Sequence, residues 1–269
     1  MPWLALTLEV EAAAAEAMSD ALLDAGAQSV AVEGKKLSAL MGQGEDAALV
    51  VANASRAAGI PSPRFSVETL DDQDWVRASQ AQFSPLEIGR RLWIGATWHE
   101  APRGRAAVRI DPGLAFGTGS HATTKLMLGL LEKRIRGGER VLDYGCGSGI
   151  LAIAAARLGA THVDAVDVDP VAVETAAANA RANAVAVRAV LADALPPAGY
   201  DLVLANILAQ PLIVLAPLLI ERVAPGGRLA LAGLLHSQVE EVAQPYREAL
   251  DLEVTAAAQG WALLEGARR

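Results

Sequence analysis

The chain has 269 residues, of which 52% are hydrophobic, which is enough for one large domain and one small domain. It carries 31 acidic and 23 basic residues, a net charge of −8, so nothing in the composition indicates a basic face that captures nucleic acid. Cys146 is its one cysteine, which excludes an intrachain disulfide, and the four histidines have no metal-ligand spacing.

The first 70 residues alternate short strands with alanine-rich helices. The predicted strands are Trp3–Val10, Ser29–Glu33 and Arg64–Leu70, the predicted helices are Glu11–Ala25 and Asp46–Ala58, and Gly34–Gly44 is interpreted as a loop or hairpin. Strands and helices interleaved in so short a segment predict a small α+β domain of the ferredoxin-like type. Acidic residues interrupt the first apolar run, so no signal peptide is indicated.

Residues 71–110 are interpreted as an aromatic linker region. An acidic turn, Asp71–Asp74, precedes a segment that contains several large aromatic residues: Trp75, Phe83, Trp93 and Trp98. Such residues either fasten a linker or hairpin onto a core or line a substrate surface. We favour the first interpretation and keep the second open.

A glycine-rich loop, Asp111–Thr124, leads into a predicted helix, Thr124–Lys133. The loop contains Phe116, Gly117 and Thr118, and it could fold over a cofactor with its hydroxyl groups as short-range polar contacts. The alternative is an ordinary loop that ends in a helix N-cap at Thr123 or Thr124.

From about residue 120 the alternation of strand and helix predicts a doubly wound parallel sheet. Its first strand runs into a turn with an acid, Asp143, and three glycines at alternate positions, Gly145, Gly147 and Gly149. Glycines let a ligand lie against the backbone, and the helix that follows points unpaired N–H groups at it. The spacing differs from the G-x-G-x-x-G of dinucleotide sites. The form D-x-G-x-G-x-G resembles the first motif of class I S-adenosylmethionine (SAM) methyltransferases.

Polar residues follow the next strands. Asp167 ends the strand that begins at His162, where an acid can accept both ribose hydroxyls, whereas Asp169 before Pro170 is more typical of a helix N-cap. Asp193 follows the strand Ala186–Leu191, at the place where this fold contacts adenine, although a solvated turn acid is as good an interpretation. Asn206 follows the strand Tyr200–Ala205, at the edge where open α/β sheets bind ligands.

Leu202–Ile220 contains no charge and is close to the length of a membrane span. Its asparagine, glutamine and two prolines favour a buried strand, a loop and a core-facing helix, so we expect no membrane association. A strand at Arg228–Leu234 and a hairpin formed by Leu252–Thr255 and Gln259–Leu264 complete the predicted sheet.

Three motifs together resemble the PrmA family, which methylates ribosomal protein L11. They are the D-P-G-x-A-F-G-T-G-x-H-x-T-T loop at Asp111–Thr124, the D-x-G-C-G-S-G motif that begins at Asp143, and the N-I-L-A motif at Asn206–Ala209. The chain departs from the family pattern at Ser79, where a second tryptophan is usual, and at Ala122, where a proline is usual. The N-terminal unit is also short.

The resemblance implies a seven-stranded Rossmann-like sheet, a catalytic domain at 111–269 and a substrate-recognition domain at 1–70. It implies SAM contacts at Thr124, Gly145, Asp167 and Asn206, and we add Gly147, Asp193 and the loop residues Phe116, Gly117 and Thr118. No catalytic base is evident, and Cys146 has no sequence signature of a nucleophile. We expect a cytoplasmic monomer without a metal and without direct contact to nucleic acid.

The implied reaction is SAM-dependent methylation of lysine side chains, the N-terminal amine or both on ribosomal protein L11. A lysine methyltransferase for another protein and a non-catalytic SAM-binding module remain alternatives. Ile207 and Leu208 replace the prolines of the N-P-P-Y motif, which disfavours methylation of amides or adenine. The glycine spacing disfavours a nicotinamide-dependent oxidoreductase.

Overall fold

The computed structural model describes residues 3–11, 14–27, 29–33, 35–42, 44–70, 84–111 and 121–269. Contacts between Cα atoms divide the chain into an N-terminal unit, Met1–Phe83, and a C-terminal unit, Ser84–Arg269. The predictions for Phe116, Gly117 and Thr118, and those for Trp75, Ser79 and Phe83, concern positions outside the described residues.

The N-terminal unit has the ferredoxin-like order of elements. It contains β1 (Trp3–Glu9), α1 (Ala15–Asp24), β2 (Ser29–Glu33), β3 (Lys36–Gly42), α2 (Ala47–Ala58) and β4 (Phe65–Leu70). The sheet order is β2-β3-β1-β4, and each neighbouring pair is antiparallel. The hairpin interpretation of 34–44 is confirmed, because β3 pairs with β2 and buries every second side chain from Leu37 to Met41.

Both helices of this unit cover one face of the sheet. Leu6 and Leu8 of β1 pack in one core with Met18 and Leu22 of α1 and with Val51 of α2. Helix α1 begins at Ala15, four residues later than predicted. Helix α2 begins as predicted because its N-cap carboxylate satisfies two free N–H groups of the first turn, and it ends at a glycine in the left-handed conformation.

The C-terminal unit contains a three-stranded sheet and a seven-stranded sheet. Its elements are β5 (Leu86–Ile88), β6 (Leu92–Gly95), β7 (Ala106–Arg109), α3 (Ala122–Arg134), β8 (Arg140–Tyr144), α4 (Ile150–Leu158), β9 (His162–Asp167), α5 (Pro170–Ala182), β10 (Arg188–Leu191), β11 (Tyr200–Asn206), α6 (Ala209–Val214), α7 (Ala216–Arg222), β12 (Val223–Leu235), α8 (Val239–Ala243), β13 (Glu253–Ala258) and β14 (Trp261–Ala267).

The large sheet has the order β10-β9-β8-β11-β12-β14-β13. The first five strands in this order, β10, β9, β8, β11 and β12, are parallel, and β14 and β13 add an antiparallel edge. A core lies on each face: Val141 of β8 belongs to one and Leu142 to the other. The prediction of a doubly wound, seven-stranded Rossmann-like sheet is confirmed, and its apolar strands are typical of parallel strands covered on both sides.

The segment 84–110 forms strands rather than an irregular linker. Strand β6 pairs with β5 antiparallel and with β7 parallel, and Leu92 and Val108 enter the core that also contains α4. Trp93 is buried, and a Cβ at Gly95 would lie 2.2 Å from its ring. Trp93 therefore packs within this sheet, as we expected for aromatic residues that fasten a linker or hairpin onto a core. Trp98, in contrast, is 38% exposed.

The uncharged segment Leu202–Ile220 is divided among β11, α6 and α7, so the predicted strand is confirmed and two short helices stand where a loop and one helix were predicted. Within the described part of the chain, no helix combines the length and the apolar character that a membrane crossing requires.

Candidate functional site

Four neighbouring parallel strands end at one edge of the large sheet. Strands β8, β9, β10 and β11 end at Tyr144, Asp167, Leu191 and Asn206. The predicted residues Gly145, Gly147 and Asp193 follow two of these strand ends directly. The carboxyl edge of an open parallel sheet is where such folds bind ligands, so the geometry brings most of the predicted residues to one edge.

The glycine turn between β8 and α4 is held by backbone hydrogen bonds. The N–H groups of Gly145 and Cys146 donate to the carbonyl oxygen of Val166 at 2.7 and 2.9 Å. Gly145, Gly147 and Gly149 have φ values of 79°, 51° and 78°, in the left-handed region that favours glycine. The turn therefore requires its glycines for the shape of its backbone.

Ile207 of the N-I-L-A motif packs directly against this turn. A Cβ at Gly145 would lie 2.3 Å from Ile207 Cγ2, and a Cβ at Gly233 would lie 2.1 Å from the Ile207 carbonyl oxygen. The loop after β11 thus packs between Gly145 in the turn after β8 and Gly233 of β12, and β8 and β12 are the two strands that flank β11. Sequence reasoning missed Gly233, although an isolated glycine in an apolar strand signals a close approach of backbone.

Asp167 connects the end of β9 to the glycine turn. Its Oδ2 accepts a hydrogen bond from the Gly147 N–H at 2.9 Å, and its Oδ1 accepts one from the Asp169 N–H at 3.1 Å. These two bonds fix the half-buried carboxylate and leave lone pairs for a further donor. Asp169 accepts a hydrogen bond from the Val171 N–H at 2.9 Å, which confirms the N-cap interpretation of that residue.

Asp143 lies beneath the turn and is completely buried. Its Oδ2 accepts a hydrogen bond from the Ala152 N–H at 3.1 Å, whereas its Oδ1 has no partner among the described residues. Burial raises the pKa of Asp143 to about 7, and the nearby negative charge of Asp167 adds to the rise. A buried carboxyl of this kind gains stability in its charged form if a cation binds above it.

Cys146 is not set up as a nucleophile. The side chain is 5% exposed, and burial, together with the charges of Asp143 and Asp167, raises the pKa of its thiol above the ordinary value. Because the thiolate is the reactive form, this environment makes the cysteine inert.

Thr124 is buried in the first turn of α3. The alternative interpretation, an N-cap at Thr123 or Thr124, is wrong, because His121 caps the helix: its Nδ1 accepts a hydrogen bond from the Thr123 N–H at 3.3 Å. The Thr123 hydroxyl lies 2.7 Å from the same nitrogen. Both threonines belong to the helix, because α3 begins at Ala122. The His121 ring meets Trp261 edge-on, with centroids 5.1 Å apart.

Asn206 and Asp193 are more accessible to a ligand than the buried Thr124 and Asp143. Asn206 is half-buried as the last residue of β11, and Leu208, two residues later, is 70% exposed. Asp193 is exposed in a short 3-10 turn after β10. Their ligand contacts, like those of Thr124, stay predictions.

The described residues fit SAM. The backbone of the turn from Gly145 to Gly149 has the conformation that favours glycine, Asp167 offers oriented carboxylate oxygens to hydroxyl groups, and the Asp143 carboxyl has an unpaired oxygen beneath the turn. In the part of the chain that the structure describes, His, Cys, Asp and Glu side chains do not come together in groups that could hold a metal ion.

Comparison with known proteins gives a consistent result. A family model described as "Ribosomal protein L11 methyltransferase (PrmA)" matches residues 2–269. A Chromobacterium violaceum protein named ribosomal protein L11 methyltransferase is 43% identical over 295 residues, covering 100% of this chain and 99% of its own length. A Thiobacillus denitrificans protein of the same name is 45% identical over 296 residues, with full coverage of both chains.

A solved structure shows the same likeness. The crystal structure of a ribosomal protein L11 methylase from Lactobacillus delbrueckii subsp. bulgaricus is 32% identical, with a TM-score of 0.62. The match covers 69% of this chain and 98% of that one. With a family model that spans the chain and relatives above 40% identity, the chain belongs to the PrmA family of ribosomal protein L11 methyltransferases.

Proposed function

We propose that this chain is a SAM-dependent methyltransferase that modifies lysine side chains, the N-terminal amine or both on ribosomal protein L11. The names of its relatives support the substrate. The observation that carries the proposal is the glycine turn at Gly145–Gly149, hydrogen-bonded to Asp167 at the carboxyl edge of the sheet.

Each residue at this edge has a role in holding the cofactor. Gly145 and Gly147 let the cofactor approach the backbone, Asp167 accepts the ribose hydroxyls, and Asp193 contacts adenine. Asn206 and Thr124 complete the pocket in this proposal, and the loop residues Phe116, Gly117 and Thr118 cover it. When bound, SAM supplies an electrophilic methyl group on a sulfonium.

The amine that accepts the methyl group must be neutral. A lysine has a pKa of ~10.4, so deprotonation at neutral pH costs roughly 4–5 kcal/mol. Asp143 is completely buried, and it does not reach a substrate amine as a base. The chain therefore contributes chiefly by desolvating the amine, which lowers its pKa, and by orienting it through polar groups such as Asn206.

We also propose a division of labour along the chain, with substrate recognition at 1–70, an aromatic linker region at 71–110 whose strands β5 to β7 pack on the catalytic unit, and catalysis at 111–269. The separate hydrophobic core of β1, α1 and α2 supports an N-terminal domain with its own role. A cytoplasmic monomer that contacts neither membrane nor nucleic acid completes the proposal.

A turnover assay tests this function. The purified chain is mixed with SAM and unmethylated L11, and formation of S-adenosylhomocysteine is followed, with an Asp167→Ala variant as control. We expect product with wild type and a strongly reduced rate with the variant. Without turnover on L11, the substrate would be another protein or the chain a non-catalytic module.

Thermal melting tests the cofactor independently. A ligand at one hundred times its Kd stabilises the fold by about 2.7 kcal/mol, which raises the melting temperature measurably. We expect this rise with SAM and none with NAD. Stabilisation by NAD alone would contradict the proposed cofactor.

A further inference from the structure

The two units differ sharply in charge. Residues 1–83 contain 12 acidic and 5 basic residues, and residues 84–269 contain 19 acidic and 18 basic residues. The N-terminal unit therefore carries −7 of the net charge of −8, although it is less than a third of the chain. A charge excess of this size attracts a basic partner and raises its rate of association.

A groove of about 470 Å³ lies at one end of the N-terminal sheet, where β1 leads towards α1. Its lining includes three exposed charged residues, Glu9, Glu11 and Lys35, which we call the rim. Apolar side chains, among them Val10, Ile60 and Pro63, form its floor. We call this the N-terminal groove. An acidic rim above an aliphatic floor fits a long basic side chain, whose methylenes lie on apolar surface while its charge stays at the rim.

An ammonium group already occupies part of this rim. Lys35 Nζ lies 3.2 and 3.1 Å from the two carboxylate oxygens of Glu11. The two side chains are 64% and 82% exposed, so this ion pair is weak and easily exchanged. The Val10 N–H donates to the Lys35 carbonyl oxygen at 2.9 Å, which holds the backbone of Lys35 beside the groove. Glu9 has no ion pair with any described residue.

We propose that the N-terminal groove binds a lysine or arginine side chain of the ribosomal-protein substrate, and that Lys35 competes with it for Glu11. The inference rests on the proposed function and adds the surface and the chemistry by which the substrate docks. The aliphatic stem of the side chain lies on Ile60 and Pro63, and its charge lies between Glu9 and Glu11.

The C-terminal unit offers a contrasting groove. It has a volume of about 460 Å³ beside α3 and β13, and its lining includes Lys125, Lys133 and Arg136. Those cations repel a basic side chain. Of these two grooves, only the N-terminal groove has the sign of charge that attracts a basic side chain.

Paired charge removals test the inference. The Glu9→Gln/Glu11→Gln double variant removes both acids of the rim, and the matched Glu45→Gln/Glu68→Gln variant removes two exposed acids of the same unit that do not line the groove. KM for L11 and kcat are measured for both variants and for wild type, with SAM affinity from calorimetry. We expect the rim variant to raise KM roughly 3- to 10-fold, with kcat and SAM affinity unchanged.

A single substitution should change KM for L11 in the opposite direction. Lys35→Gln removes the competitor and frees Glu11, so we expect it to lower KM for L11 roughly twofold. A loss of packing cannot produce this improvement. Added salt should raise KM of wild type more than KM of the rim variant, because exposed charges are screened.

The outcomes separate the groove from the proposed function. If wild type does not methylate L11, the proposed function is wrong. If wild type turns over but the rim pair and the matched pair change KM equally, or neither changes it, the groove is not the docking surface. A rise in KM with Lys35→Gln would also overturn the inference.

Discussion

Asp167 accepts hydrogen bonds from the glycine turn, whereas its neighbour Asp169 caps the next helix. We expect Asp167→Ala to weaken SAM binding roughly 10- to 100-fold, because it removes the fixed acceptor for the ribose. Asp169→Ala is the matched control. It should lower the free energy of unfolding by about 1 kcal/mol through loss of the cap but leave SAM affinity within about twofold. Equal SAM affinities of the two variants by calorimetry would refute the assignment of Asp167.

Gly145 combines a positive φ with a close neighbouring side chain, and Gly226 has a similar φ without such a neighbour. Their φ values are 79° and 74°, and a Cβ at Gly226 meets no atom within 4 Å. Alanine at either position costs about 1 kcal/mol for the left-handed backbone. At Gly145 the clash with Ile207 adds about 1–3 kcal/mol. Denaturant unfolding should therefore separate the two variants, and Ile207→Ala should partly restore Gly145→Ala. Equal destabilisation would contradict the close packing.

The pKa of Asp143 makes stability depend on pH. The carboxyl ionises near 3.8 when unfolded and near 7 when folded, so folding takes up a proton between these values. Stability from this group is full below about pH 4 and is lost as the pH rises through about 7. Asp143→Asn removes the titration. We expect the wild type without SAM to lose of order 1–3 kcal/mol more than the variant between about pH 5 and about pH 8. Parallel pH profiles of the unfolding free energy would contradict this.

Among the secondary-structure elements, a charge cluster links the amino-terminal halves of β9, β10 and β11, away from the carboxyl edge that forms the site. Asp164 is buried and accepts hydrogen bonds from Arg188 at 2.7 and 2.8 Å and from the Tyr200 hydroxyl at 2.6 Å. Burial raises the pKa of Asp164, but these bonds outweigh it and hold the pKa below its usual value.

Arg188→Ala tests the contribution of this cluster to the sheet. Removing the partner of a buried carboxylate costs roughly 3–5 kcal/mol, and we expect the lower part of that range because Arg188 is half exposed. Arg181→Ala, an exposed arginine at the end of α5, should change the unfolding free energy by less than about 0.5 kcal/mol. Similar denaturation midpoints for both variants would show that the cluster contributes little.

The elements that the sequence predicts best are those with local signals. Helix α2 has its cap residue and its terminal glycine, and the parallel strands have apolar runs that end in turns. Strands β5, β6 and β7 have only three or four residues each, so their alternation is too short to recognise and their pairing depends on distant chain. The His121 cap was missed because histidine is a rare N-cap and two threonines follow it.

For the molecule as a whole, the sequence predicts the site from the polar residues and turns that follow its predicted strands. A turn, a carboxylate and an amide that are distant in sequence meet because parallel strands place their carboxyl ends at one edge. The packing of Ile207 against Gly145 and Gly233 cannot be predicted in this way, since it depends on the register between β8, β11 and β12. The segregation of charge is visible in the composition once the boundary between the two units is known.

We propose that the residues at the carboxyl edge of the large sheet direct methyl transfer to amines of ribosomal protein L11. Mass spectrometry of L11 after incubation with the chain and SAM tests it most directly, with Asp167→Ala as the control. We expect mass gains in steps of one methylene, mapped by peptide fragmentation to lysine side chains or the N-terminal amine, and strongly reduced with the variant. Unmodified L11, from a chain that demonstrably binds SAM, would contradict it.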